Sequence, residues 1–191
     1  AKIEIMKGAS SSLYGTGAAT GVINITLKKA SDKSISGNAF MNFGTQNTSE
    51  TNKTSVQDFN QGFSVNGTLN KFNYLTSVNH TNTSGISEAE GVNFEEDTFQ
   101  RINVLQKFGI KINPKLQFDF FGNYDKIKVS FDNSYGGPNS SSDDLFNNSN
   151  SEQFRFGFLP KYKYKSGEFN LNSSFTSIER TINLLSSYTN T

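Results

Sequence analysis

Residues 154–164 read Phe-Arg-Phe-Gly-Phe-Leu-Pro-Lys-Tyr-Lys-Tyr. Even positions are aromatic or Pro, and odd positions are mostly basic or small. A helix repeats every 3.6 residues and would scatter the rings around its axis. An extended strand sends successive side chains to opposite faces, so this period of two gathers the rings on one face and leaves the other wet. The same alternation sets Leu116, Phe118, Phe120, Gly122 and Tyr124 against Gln117, Asp119, Phe121, Asn123 and Asp125. It recurs where Phe72, Tyr74, Thr76 and Val78 oppose Asn73, Ser77 and Asn79. Further strands are expected near 35–46, 60–70, 97–110 and 168–182, with Phe63, Val65 and Leu69, Ile102, Val104 and Phe108, and Phe169, Leu171 and Phe175 on their apolar faces. No segment carries a helical period. The fold class is therefore all-β and antiparallel.

The connections add a second signal, because they alternate in length. Asn70-Lys71, the Asn113-Pro114 region and Ser166-Gly167 are tight turns, whereas polar connections of increasing length lie near 47–59, 83–96 and 130–152. Transmembrane β-barrels have short turns at one end and long loops at the other, an asymmetry that a soluble β-sandwich does not require. The composition agrees. Eighteen Phe and seven Tyr sit in a chain whose mean hydropathy is −0.54. A barrel strand meets lipid only at every second residue, so a low average is compatible with membrane insertion although no apolar run is long enough for a transmembrane helix. The expected architecture is a partial transmembrane β-barrel, an open sheet of about six to seven strands. The competing expectation is a soluble sandwich with the same aromatics as its core.

At the other end of the chain, residues 3–29 read IEIMKGASSSLYGTGAATGVINITLKK. Ile3-Glu4-Ile5-Met6 alternates as a half-buried strand, the small residues after Lys7 break it, and Val22 to Leu27 is a β-branched run. Gly15, Gly17 and Gly21 allow close backbone approach between the two. A phosphate-binding loop is the competing reading of these glycines. It needs a strand before the first glycine and a helix after the last, and here Ser-Leu-Tyr precedes and a strand follows. This segment resembles the C-terminal end of the plug domain of TonB-dependent outer-membrane receptors, through the IEIMKG strand, the SLYGTGAATG element and the GVINITLKK strand. The resemblance implies a plug remnant over 1–30 and the N-terminal part of a barrel over 31–191, from a family whose complete barrel has 22 strands. It implies the outer membrane of a Gram-negative bacterium, contact with outer-membrane lipid, and energised uptake of a scarce nutrient such as an iron–siderophore chelate or cobalamin. The TonB complex would engage a segment outside this chain, which reads as a fragment of a longer one. In that family the first barrel strand climbs from the periplasm, so Phe72, Tyr74, Leu116, Phe118, Tyr162, Tyr164 and Phe169 fall into a periplasmic aromatic girdle. A passive porin or an adhesin-like barrel is the alternative, and the plug-like segment argues against it.

Other function classes find little here. A net charge of +1 without a basic run leaves no nucleic-acid footprint. Cysteine is absent, which removes disulfides and thiolate metal sites, and the only histidine is His80. With Ser77 and Asn82 nearby it invites a barrel-phospholipase reading, but sequence neighbours do not make an oriented triad, and no enzyme activity or cofactor is assigned. Asp143-Asp144 and the set Glu88, Glu90, Glu95, Glu96 and Asp97 offer oxygen ligands for calcium without EF-hand spacing, so no metal residues are assigned. The candidate ligand-binding residues are Asn133, Tyr135, Phe146 and Asn147 in the longest connection, where rings stack on a flat cargo and amides supply hydrogen bonds.

Overall fold

The computed structural model describes residues 2–8, 20–26, 30–46, 55–85, 97–134, 141–142 and 147–184. Among these every regular element is a β-strand. The chain divides into two units, Ala1–Ala30 and Ser31–Thr191.

In the first unit, β1 (Lys2–Lys7) pairs antiparallel with β2 (Gly21–Thr26). Gly21 lies so close to β1 that a Cβ would meet the Met6 carbonyl oxygen at 2.9 Å, which is the close approach its residue type suggests. Gly15 and Gly17 lie outside the described residues.

The second unit is one antiparallel sheet. It runs β3 (Ser36–Gly44), β4 (Asp58–Leu69), β5 (Phe72–Thr83), β6 (Phe99–Asn113), β7 (Leu116–Ser130), β10 (Asn148–Tyr164), and then β11 (Gly167–Asn170) and β12 (Ser173–Asn183), both paired to β10. Apart from the short pair β8 (Asn133–Ser134) and β9 (Ser141–Ser142), neighbours in sequence are neighbours in space. The first and last strands do not meet, so the sheet is open.

Two differences from the sequence reading have a physical cause. The single strand expected over 168–182 is interrupted at Leu171-Asn172. Leu171 donates its N–H to the Pro160 carbonyl at 3.1 Å, but Pro160 has no N–H to return, so the ladder skips there and eight strands occupy seven rows. The connection expected over 130–152 is shorter, because β7 continues to Ser130, β10 begins at Asn148, and β8–β9 occupies part of the interval. Polar residues such as Asn148, Ser149 and Asn150 read as loop in isolation but pair with both β7 and β12.

The turns β4–β5, β6–β7 and β10–β11 have two residues each: Asn70-Lys71, Pro114-Lys115 and Lys165-Ser166. Asn70 takes a left-handed backbone (φ 56°), which Asn tolerates better than most residues. Asn113 Oδ1 accepts the N–H groups of Lys115 and Leu116, each at 2.9 Å.

Among the described residues this sheet has no hydrophobic core within its own unit. The largest fully buried side chain among the described residues is Asn147, while Phe63, Phe120, Phe154, Phe156 and Phe175 remain about half exposed. A soluble sandwich would cover those rings with a second sheet, and none packs on them within the described residues of this unit.

Candidate functional site

Because paired residues in an antiparallel ladder share a face, the register sorts every side chain of the sheet. One face carries Leu69, Phe72, Ile110 and Phe118 in one row, and Tyr74, Phe108, Phe120 and Phe158 in the next. Higher up come Phe63, Val78, Val104, Tyr124 and Phe154. Rings stack along it: Phe72 on Phe108 at 5.7 Å, Phe120 on Phe158 at 4.8 Å, Phe118 on Phe158 at 5.8 Å, and Phe156 against Phe175 at 5.6 Å. The opposite face is mainly hydrophilic: Asn38, Ser64, Ser77, Asn79, Asn103, Asp125 and Gln153 occupy neighbouring rows, with Phe40, Leu75, Leu105 and Phe121 among them.

The apolar face is a band with two edges, and the band is slanted. Its upper limit is Phe43 on β3, Phe59 on β4, Ile102 on β6, Tyr124 on β7, Phe154 on β10 and Phe175 on β12. Traced through the register, Phe43 shares a row with Lys128 of β7, whereas Phe175 shares a row with Gly122. The limit thus descends by six residues over six strand-to-strand steps. The lower limit follows in parallel, from Leu69 on β4 to Tyr164 on β10. A shift of one residue per strand, about 3.3 Å against a strand spacing of about 4.8 Å, places the band about 35° from perpendicular to the strands. Eight to ten residue steps along each of β4, β7 and β10 then give the band a height of about 22–27 Å.

Above the upper limit the faces exchange character without a break in pairing. On the ring-bearing face Tyr124 is followed by Lys126 and Lys128, with Glu152 and Glu179 in the row of Lys126. Lys126 and Glu152 form an ion pair, and the Tyr124 hydroxyl donates to Glu152 Oε2 at 3.4 Å. On the other face Ile127, Val129, Ile178 and Ile182 replace polar residues. This exchange was legible as a phase slip in the alternation near residue 125, and strand reading alone passed over it.

Inside the band Thr76 and Gln106 are hydrogen-bonded to each other. Thr76 donates to Gln106 Oε1 at 2.7 Å, and Gln106 Nε2 donates to the Lys107 carbonyl at 3.3 Å. Thr76→Val is expected to cost about 1–3 kcal/mol by stranding the Gln106 oxygen, and adding Gln106→Leu is expected to recover part of that loss. A double-mutant cycle by chemical unfolding reads the coupling; strictly additive losses would show that the pair is not a unit.

On the hydrophilic face Arg101 grips Asp125 in a bidentate pair, Nε to Oδ1 at 2.8 Å and Nη2 to Oδ2 at 2.6 Å. Asn79, Thr81 and Asn103 line a shallow recess with it. At the long-connection end, Gln46 Nε2 donates to Asp58 Oδ1 and to Thr83 Oγ1, both at 2.8 Å, while Thr83 also donates to Asp58. This knot ties β4 and β5 to the chain after β3. A cavity of about 300 Å³ opens at the short-turn end, lined by Lys111, Lys115, Lys161, Lys163 and Glu168 among others.

The candidate ligand residues are not seen together. Tyr135 and Phe146 lie outside the described residues, and Asn133 begins β8. Asn147 is buried, and its carbonyl accepts the Phe131 N–H at 3.3 Å, closing the base of the connection beside the buried Asp132. Of the acidic residues considered for calcium, only Asp97 is among the described ones, and no described group of three His, Asp or Glu side chains converges. His80 sits at the band's upper edge, its Nδ1 3.3 Å from Gln61 Nε2 and its ring 6.5 Å from Phe59. Ser77 points to the other face, so the two do not form a Ser–His pair. Comparison with family models, with curated proteins and with solved structures returns no match for this chain.

Proposed function

We propose that the sheet is part of the wall of an outer-membrane β-barrel and that the chain belongs to a TonB-dependent transporter for a scarce nutrient. The observation that carries the membrane part is the slanted apolar band. A bilayer imposes a level hydrocarbon slab, so strands crossing it at an angle must shift their lipid-facing residues by a constant step from one strand to the next. A step of one residue corresponds to the tilt of about 35–45° found in membrane barrels, and the band's height matches their lipid-facing zone of about 25 Å. A surface that docks a protein partner has no reason to keep that slope over the whole sheet. The mutual satisfaction of Thr76 and Gln106 fits a site without water.

The transport part rests on residues 3–29 and their resemblance to the end of a receptor plug. In this reading cargo meets the long connections and the hydrophilic face. The chain performs no covalent chemistry, and energy reaches it from the TonB complex. The test uses a bacterium carrying the intact gene. Uptake of radiolabelled iron–siderophore and cobalamin is measured with and without the gene, and with and without a protonophore. Gene-dependent uptake that collapses with the protonophore is the expected result. Gene-dependent passage of small solutes that ignores the protonophore would replace this reading by the passive porin, and binding to surfaces without uptake would replace it by the adhesin-like barrel.

A further inference from the structure

The net charge of +1 conceals a strong polarity along the strands. Each two-residue turn of the sheet contains a lysine: Lys71, Lys115 and Lys165. Lys33 lies just before β3 at the same end, and Lys111, Lys161 and Lys163 stand on the adjoining strand ends. Asp32 and Glu168 are the carboxylates among the described residues of this rim, and Glu168 already faces Lys163 at 3.7 Å. By sequence, the long connections over 47–54, 86–96 and 135–146 bear seven carboxylates and one lysine. A chain that needed only solubility would have no reason to separate its charges by end.

We infer that the lysine rim of the short turns docks on the phosphate headgroups of the lipid leaflet on that side. This rests on the membrane reading of the apolar band. What favours lipid over an acidic protein is the continuity of two surfaces. The rim lies directly below the band's lower edge, where Tyr162 and Tyr164 on β10 and Phe169 on β11 stand on the ring-bearing face. Aromatic residues with a polar tip and lysines on long apolar stems are the pair of side chains that suits a hydrocarbon–headgroup boundary, the ring in the acyl margin and the ammonium in the phosphate layer. The turns are two residues long, too short to fold over a small ligand, but they form an exposed line of single positive charges. Lys71 Nζ donates to the Ile112 carbonyl at 3.1 Å, which anchors its stem across the neighbouring turn while its charge stays uncompensated by any described carboxylate. Clustered lysines beside a membrane surface attract anionic headgroups roughly additively, and the attraction decays within a Debye length.

The test uses the full chain, purified in a neutral detergent and offered equal amounts of phosphatidylglycerol and phosphatidylcholine. Lipids retained through native mass spectrometry are counted. Wild-type protein is expected to retain phosphatidylglycerol about tenfold over phosphatidylcholine at low salt, with the ratio falling toward one as salt rises. The triple variant Lys71→Gln, Lys115→Gln, Lys165→Gln is expected to lose the preference, and the matching triple Lys→Arg variant to keep it. All three positions are exposed turn residues, so neither variant disturbs a core. A wild-type ratio near one, or a preference untouched in the Gln variant, overturns the rim while leaving the band reading intact. Protein that inserts into neither neutral nor anionic vesicles overturns both. Lysine-dependent binding of polyglutamate by protein that retains no lipid assigns the rim to an acidic polypeptide and overturns the lipid docking.

Discussion

On the proposed membrane reading, Phe108→Lys is expected to lower the stability of the vesicle-reconstituted protein by about 2–4 kcal/mol, the cost that a lysine near the midplane carries on a lipid-facing strand position. Phe108 lies near the middle of the apolar stretch of β6, in the row of Tyr74 and Phe120, and stacks on Phe72 at 5.7 Å. Phe108→Leu removes the stacking without the charge and separates the two contributions. The control is on the same strand. Leu105 points to the opposite face, between Ser77 and Asn123, and that face already carries Lys107. Leu105→Lys is therefore expected to cost less than about 1 kcal/mol. Chemical unfolding in phospholipid vesicles reads both. Equal penalties at Phe108 and Leu105 would show that the two faces do not meet different solvents, and the membrane reading would fall.

The second large effect is at Gly67. A Cβ built there would sit 2.2 Å from the Ser34 carbonyl oxygen and 2.7 Å from its carbon. Both are backbone atoms, so no rotamer change relieves the clash. Ser34 cannot retreat freely, because Lys33 accepts the Thr68 N–H at 2.8 Å and the Ser34 carbonyl accepts the Tyr74 hydroxyl at 3.1 Å. Gly67→Val is expected to cost about 1–3 kcal/mol, as overpacking in a fixed setting does. Thermal melting of the wild type and variant in detergent tests it, with loss of protection at the Thr68 amide in hydrogen exchange locating the damage. Gly122, with nothing within 4 Å of an added Cβ, is the matched control and is expected to accept Ala with little change. A melting point for Gly67→Val equal to that of wild type would show that the segment before β3 is not held against β4.

Much of the fold was legible because a strand writes its two environments directly into alternate residues. Phe154 to Tyr164 and Leu116 to Asp125 alternate with Leu159 and Phe121 as the apolar exceptions on the polar phase, and both lie within strands in the expected phase. Strand ends were less legible where polar residues continue a ladder: Asn148 to Ser151 have no apolar member to mark a face, yet they pair on both sides. The ligand-contacting candidates depended on residue type within one connection. Residue type cannot say that Asn147 closes the base of that connection and is 1% exposed.

By itself the sequence determined that this protein is all-β, that its strands are two-faced, and that short turns alternate with long connections. Each of these is a local property, set by period, by turn chemistry and by the spacing between them. Only the tertiary structure decided the rows. Whether Phe43 stands level with Lys128, and Phe175 with Gly122, depends on six successive registers. The slant of the apolar band, the exchange of faces above Tyr124 and the satisfied Thr76–Gln106 pair all follow from those registers. A shift of one residue in any of them would turn a strand's rings to the other face. Register is a relation between distant segments, and no window along one strand contains it.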